Sequence, residues 1–343
     1  MCLEQRLDMP VQTTTQLNLS SDRAISLFSE GAKLYDLPAE HTGSRLKVVS
    51  PFGEILVEAD DPGARVTVSA PDRAKLYALQ ETIDHALEEI GASESLNWSE
   101  AEAGSLPGNM SVARVEWCKR ISPSYFRVRL SDPDLERFAR DGLHFRLLFG
   151  PFGYAGEWPF IAETGRTVWP GGASAWHRPV YTTRYVDPKA GILEFDVFVH
   201  EGGKVSQWCE SVQAGEEVAL MGPGGDWYPE AGWLGLVGDE TALPAIARIL
   251  EAASPATRGV AVIMTSHEDD IQALRCPDGM AIKWLRREGA ETLLDALDRL
   301  DLPETDRLVW FAGEKSEAAA ARERMTALGL NKHECRATAY WIR

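Results

Sequence analysis

The stretch Trp233–Leu250 constrains the fold of this chain more than any other. It opens with Trp-Leu-Gly-Leu-Val-Gly, turns through Asp-Glu-Thr-Ala-Leu-Pro and continues as Ala-Ile-Ala-Arg-Ile-Leu. A short, nearly continuous apolar run matches a strand buried on both faces, and the closing segment repeats apolar residues at helical spacing. A buried strand feeding a helix is half of a parallel crossover unit. The alternation continues to the end of the sequence. Strands are expected over 259–265, 281–285, 307–311 and 337–342, and helices over 241–252, 291–300 and 316–328. This pattern predicts a parallel sheet covered by helices.

Upstream the pattern changes. Residues 112–118, 125–130, 144–149 and 192–199 read as strands without helices between them. In the last, Leu193, Phe195, Val197 and Val199 alternate with Glu194, Asp196 and Phe198, as in a half-buried strand of an antiparallel barrel. Residues 151–177, with Trp158, Trp169, Trp176 and many Gly and Pro, read as an irregular loop, and 221–227 as a barrel-ending turn. Residues 99–109 are polar, with Gly104, Pro107 and Gly108, and make a linker. Ahead of it lies a small α/β unit. Its strands are expected over 13–19, 45–49, 54–59 and 64–70, with a helix over 21–36 capped at Ser20 or Ser21. A second helix follows from Leu76, Leu79, Ile83, Leu87 and Ile90; His85 lies off that stripe and reads as a solvated side chain rather than a metal ligand. Three domains result, over 1–105, 106–229 and 230–343.

Composition excludes several classes. Cys2, Cys118, Cys209, Cys276 and Cys335 form no C-x-x-C pair, which argues against an iron–sulfur cluster, a structural zinc site or a disulfide framework. Any redox cofactor is therefore expected to be organic. A formal charge of −17 disfavours nucleic acid as a partner. No apolar run reaches the length of a membrane span, and the N-terminal residues lack a signal-peptide core, so a cytoplasmic location is expected.

Four motifs carry chemistry. In Arg178-Pro-Val-Tyr-Thr-Thr-Arg184, Tyr181 offers a ring for stacking on a planar cofactor, Thr182 a hydroxyl for its polar edge, and Arg178 or Arg184 a cation. Alone, the same residues suit a plain strand with surface arginines. In His200-Glu-Gly-Gly-Lys-Val-Ser-Gln-Trp208 a strand ends, glycines turn the chain and a helix begins near Val205; free N–H groups there, with Ser206, suit a phosphate. In Gly238-Asp-Glu-Thr-Ala-Leu-Pro-Ala245, Thr241 is the expected N-cap, and Asp239 and Glu240 would repel a pyrophosphate. In Ser266-His-Glu-Asp-Asp270 three acids oppose a 2′-phosphate, which favours NADH over NADPH.

Together with Ala312-Gly-Glu-Lys-Ser316 and Ala339-Tyr-Trp-Ile342, these motifs resemble siderophore-interacting proteins, flavin-dependent reductases of ferric siderophores with the ferredoxin-reductase architecture. The likeness spans residues from about 110 to 343. It implies a small N-terminal α/β domain, an antiparallel β-barrel FAD-binding domain and a parallel-sheet α/β domain of the NAD(P)H-binding kind. FAD is the implied cofactor, with Arg178, Tyr181, Thr182, Arg184, His200, Val205, Ser206, Trp208 and Thr241 about it. A ferric siderophore is the implied substrate, met by Lys315, Lys283 and Arg287, with Arg286 beside them; an exposed basic face explains the last three equally well. Ser316 is expected to cap the helix that follows it. NADH, NADPH or a reduced redox protein would supply electrons, and no side chain is assigned as a catalytic acid or base. Two departures stand out: Pro179 replaces an arginine of the family motif, and Lys204-Val205 replaces Pro-Ala. Residues 83–98 resemble the end of a small bacterial domain of unknown function. A general flavin or quinone reductase using NAD(P)H, and a non-catalytic siderophore-binding protein, remain as alternatives.

Overall fold

The computed structural model describes residues 10–91, 96–132, 134–140, 142–154, 156–225 and 229–343. Cys2, residues 226–227 of the expected turn and residues 92–95 within the N-terminal resemblance lie outside the described residues. The chain divides into two compact units, one formed by 1–111 with 148–178, the other by 112–147 with 179–343. The first unit thus takes in a segment that the sequence pattern assigns to the barrel domain.

In the first unit, β1 (Val11–Leu17) is followed by α1 (Ser21–Leu34), β2 (Ala39–Thr42), β3 (Arg45–Ser50), β4 (Gly53–Asp60), β5 (Gly63–Ala70) and α2 (Arg73–Glu89). The sheet order is β1-β5-β4-β3-β2, antiparallel throughout. Alternate residues Leu46, Val48, Ile55, Val57, Val66 and Val68 share one core with Ala24, Ile25, Leu79, Ile83 and Leu87 of the helices. A period of two on the sheet meets a period of three to four on the helices, so each element buries one face. β2 escapes the sequence pattern because all four of its side chains are exposed. Ser20 occupies the N-cap of α1 without a side-chain bond, whereas Asp72 caps α2 by accepting from the Lys75 N–H at 2.8 Å. His85 is exposed beside Glu89.

Residues 148–178 are more ordered than a loop reading allows. Phe160–Ile161 pairs with Thr167–Val168, and backbone bonds from Trp98 to Thr164 (2.9 Å) and from Gly104 to Ile161 (2.8 Å) tie this hairpin to the polar segment after α2. Trp176 is buried between Trp158 and Trp169 and donates its indole N–H to the Pro170 carbonyl.

In the second unit, β6 (Met110–Ser122), β7 (Tyr125–Ser131), β8 (His144–Leu148), β9 (Val180–Asp187), β10 (Ile192–Phe198) and, after α3 (Lys204–Ser211), β11 (Glu217–Gly224) close a barrel in the order β9-β10-β7-β6-β11-β8. Residues 221–224 are therefore the end of a barrel strand rather than a turn. Leu193, Phe195 and Val197 of β10 point into the core as the alternation predicts. Glu194 and Asp196, expected on the wet face, are almost as buried, because Arg129 and Arg127 stand directly opposite on β7 and pair with them.

The remaining elements are β12 (Trp233–Gly238), α4 (Leu243–Ala252), β13 (Arg258–Thr265), β14 (Gly279–Arg286), α5 (Leu293–Asp298), β15 (Arg307–Glu314), α6 (Lys315–Ala327) and β16 (Cys335–Trp341). They build a parallel sheet in the order β14-β13-β12-β15-β16. Leu234 and Leu236 pack with α4 on one face, while Val237 packs with α5 and α6 on the other, so β12 is buried on both sides as its composition requires. No helix among the described residues is long and apolar enough to cross a membrane.

One buried acid of the first unit has a pH signature. The Trp98 indole donates to Asp84 Oδ1 at 2.9 Å, and Arg166 lies 3.7 Å away. Burial pushes the Asp84 carboxyl up to about 6, outweighing both neighbours. The folded state therefore holds a proton that the unfolded chain loses, and stability falls as pH rises from about 4 to 6, by on the order of 3 kcal/mol. Asp84→Asn, which keeps an acceptor for Trp98, is expected to flatten that decline and to raise stability at pH 7. Urea unfolding followed at pH 4, 5, 6 and 7 checks it; an unchanged slope contradicts the assignment.

Candidate active site

A cleft of about 700 Å³ opens in the second unit, walled by Val180, Tyr181 and Thr182 of β9, His144 of β8, Asp196 and Phe198 of β10, His200, the β12–α4 turn and Thr338–Ile342 at and beyond the end of β16. Tyr181 is half-buried, its ring 5.3 Å from Phe195 and 6.4 Å from Phe145, so the barrel core fixes its plane. Thr182 is buried, and its hydroxyl lies 3.2 Å from His144 Nδ1. Tyr125 donates its hydroxyl to the Glu240 carbonyl at 2.7 Å and joins barrel to sheet beneath the cleft.

The β12–α4 turn corrects the sequence expectation. Ala242, not Thr241, is the N-cap of α4 and no side chain caps it; the Asp239 carboxylate instead binds the turn that leads into the helix. Its Oδ1 takes the Thr241 N–H (2.9 Å), the Thr241 hydroxyl (2.6 Å) and the Ala242 N–H (3.3 Å), and its Oδ2 takes the Trp341 indole N–H (2.7 Å). Burial pushes Asp239 up, while the bonds from Thr241 and Trp341 pull it down. Glu240 is buried, paired with Arg287 and bonded by the Ser266 hydroxyl at 2.7 Å. Neither acid faces an incoming phosphate as a bare charge, because each is satisfied within the protein. The same arrangement recurs on the neighbouring strand. Glu314 accepts from the Ser316 N–H at 2.6 Å and from the Ser316 hydroxyl, so Glu314 caps α6 and Ser316 is a donor. The Ser316 hydroxyl holds the Glu314 carboxyl below its usual range.

The start of α3 is different. Gly203 is its N-cap, no side chain caps it, and its first turn, Lys204, Val205 and Ser206, holds no acid. Val205 and Ser206 are buried, Trp208 is half-buried, and the Ser206 hydroxyl accepts from the His200 N–H at 3.5 Å. A Cβ on Gly203 would lie 2.8 Å from His200 Nε2 and 2.9 Å from Ser206 Oγ, so a larger residue would have to push one of these side chains aside.

Of the lysines and arginines singled out by sequence, none is among the described residues that line the cleft. Arg184 turns to Glu251 on α4 at 2.9 Å, and Arg178 belongs to the first unit, where its guanidinium lies over the Trp169 ring. Lys283 pairs with Glu291, Arg287 with Glu240 and Arg286 with Glu268. Lys315 is exposed, with no ion-pair partner among the described residues. Of the three acids in 268–270, Asp270 is buried and turned inward. Burial would raise it, but bonds from Ser122, Ser124 and His267 hold it below its usual range. That weakens the electrostatic case for NADH over NADPH. His144 was not legible as a site residue, since only the cross-strand register sets it opposite Thr182.

Comparisons with known proteins agree with this geometry. The family described as Siderophore-interacting FAD-binding domain matches residues 114–227, and that described as Siderophore-interacting protein matches residues 231–343. The NADPH-dependent ferric-chelate reductase of Escherichia coli is 32% identical over 240 residues, 68% of this chain and 91% of that protein. An uncharacterized protein of Mycobacterium tuberculosis is 40% identical over 116 residues, 33% of this chain, and the match spans only 41% of that relative's length. The crystal structure of a siderophore utilization protein from T. fusca superposes with a TM-score of 0.60 at 31% identity, covering 68% of this chain and 93% of that one.

The Asp239 carboxylate is expected to carry much of this region. Asp239→Ala would orphan donors in the turn ahead of α4 and on Trp341, costing about 2–4 kcal/mol. Chemical unfolding with Trp fluorescence measures this; a loss below about 0.5 kcal/mol would show that the turn is held by something else.

Proposed function

The chain belongs to the siderophore-interacting protein family, and we propose that it is an FAD-dependent reductase that releases iron from ferric siderophores. The observation that carries this reading is the cleft itself. An aromatic and a hydroxyl on β9 line one wall, His200 lines another, and three residues beyond His200 α3 starts with neither a capping side chain nor an acid in its first turn. Among the described helices α2 and α6 begin at carboxylates, α1 carries Asp22 in its first turn, and α4, which also lacks a side-chain cap, has a proline in its first turn and Asp239 and Glu240 just ahead of it. A dinucleotide's pyrophosphate is therefore best received at α3, where unpaired N–H groups and the positive helix end favour an anion.

The residues present fit FAD. Tyr181 would lie along its ring, Thr182 would bond its polar edge, and Gly203 with the first turn of α3 would cradle the phosphates. Bound there, FAD supplies two-electron uptake from NAD(P)H and single-electron delivery to Fe(III). The protein's task is to hold the ring flat, keep its edge open to a bulky chelate and exclude competing chemistry. Siderophores bind Fe(III) through hard oxygen donors that hold Fe(II) far less firmly, so reduction frees the metal. Lys315, exposed and without an ion-pair partner among the described residues, is the cation we assign to meet the chelate. Arg287 and Lys283 serve structural pairs instead. We place the reaction in the cytosol, and a reduced redox protein is a second donor worth testing beside the two nicotinamide nucleotides.

The direct test is anaerobic visible spectroscopy of the FAD-loaded protein. Flavin bands should bleach with NADH or NADPH and return on adding a ferric hydroxamate, with Fe(II) trapped by a chromogenic chelator at least 10-fold faster than without protein. Equal rates would overturn the reading. Gly203→Ala, whose methyl must displace His200 or Ser206, is expected to raise the FAD dissociation constant about 10-fold in a fluorescence titration; unchanged affinity would move the phosphates elsewhere.

A further inference from the structure

His144 Nδ1 lies 3.2 Å from Thr182 Oγ1, and its Nε2 lies 3.0 Å from the Tyr340 hydroxyl. Both contacts open on the cleft. The ring is tightly placed. It stands edge-on to Tyr340 at 5.3 Å and 87°, and Gly225, at a φ of +81°, approaches so closely that a Cβ there would lie 2.5 Å from His144 Cδ2. Its pairing across β8 and β9, residue for residue with Thr182, sets the first contact, while β16 supplies the second.

Resting on the flavin reading above, we propose that His144 is a positioning residue that reverses the hydrogen-bond direction of the Thr182 hydroxyl as the cofactor changes redox state. A neutral imidazole has one N–H and one lone pair. In one arrangement Tyr340 donates to Nε2 and Nδ1–H donates to Thr182, which leaves the threonine hydrogen to point into the cleft as a donor. In the other, Thr182 donates to Nδ1 and Nε2–H donates to Tyr340, whose own hydroxyl hydrogen then turns toward the cleft that Tyr340 lines, which leaves the threonine lone pairs facing the cleft as acceptors. Both arrangements hold the same three hydrogens and differ only in tautomer and hydroxyl direction, so no net charge moves. An oxidised flavin presents a lone pair at its reactive nitrogen and needs a donor; a reduced one presents N–H and needs an acceptor. Each arrangement therefore suits one redox state. Threonine alone could rotate, but the ring beside it sets which rotation leaves no polar group unpaired.

Two measurements test this. In the flavin-free protein, nitrogen-15 NMR of the histidine rings reports the His144 tautomer; Tyr340→Phe removes the hydroxyl that serves Nε2 as donor in one arrangement and as acceptor in the other, and should change the tautomer ratio. An unchanged tautomer overturns the proposal. In the loaded protein, dissociation constants for oxidised and reduced FAD are compared between wild type, His144→Phe and His144→Gln. The ratio of the two constants should shift about 3- to 10-fold in the phenylalanine variant, with partial rescue by glutamine, whose amide can donate and accept. A purely structural histidine would weaken both forms alike and leave the ratio unchanged, which also overturns it. If wild type binds no FAD, the functional reading fails while the NMR measurement still decides the hydrogen-bond chain; if the phenylalanine variant fails to bind, the Tyr340→Phe tautomer decides.

Discussion

Four hydrogen bonds converge on Asp239, and much of the second unit depends on them. The carboxylate is completely buried at the end of the central strand β12, takes two backbone N–H groups and a hydroxyl at the approach to α4, and receives the indole of Trp341 from β16. A buried carboxylate is costly unless its acceptor sites are filled. Here they are filled from segments far apart in sequence, so the acid fixes at once where α4 starts, where the last strand lies and where one wall of the cleft stands.

The same logic runs through a chain with a surplus of acid. With 52 acidic against 35 basic residues, carboxylates are abundant, and the fold spends them at helix starts, where the macrodipole welcomes them. Asp72, Asp295 and Glu314 serve there, and Asp239 braces the turn ahead of α4. The consequence is selective: most helix starts are closed to outside anions, and α3 stays open.

The sequence foretold strands and helices well wherever apolar residues recur at a clear period, and its order of motifs pointed to the family. It misplaced caps. At Asp239 and Glu314 a hydroxyl residue lies two positions after an acid, and local preference alone would choose the hydroxyl; only burial shows that the acid is the acceptor and the hydroxyl the donor. It also misjudged Glu194 and Asp196, whose polarity hid their burial until β7 brought arginines opposite them. The roles of basic side chains were the least legible, since a lysine or arginine reads alike whether it faces a ligand or, like Arg287, a buried glutamate. His144 was invisible as a site residue because strand register is a property of the folded barrel.

The division of the chain into interleaved units sets an order of assembly. Residues 148–178 complete the first unit but are made only after β6, β7 and most of β8, which belong to the second. During synthesis the N-terminal sheet and helices emerge first, yet Trp98 and Gly104 wait for Thr164 and Ile161 before their backbone groups are paired. The ribosome therefore releases the two units in alternation rather than in sequence, and neither is finished before part of the other has been threaded out. A break placed in the polar segment 99–109 would fall inside the first unit rather than between the two.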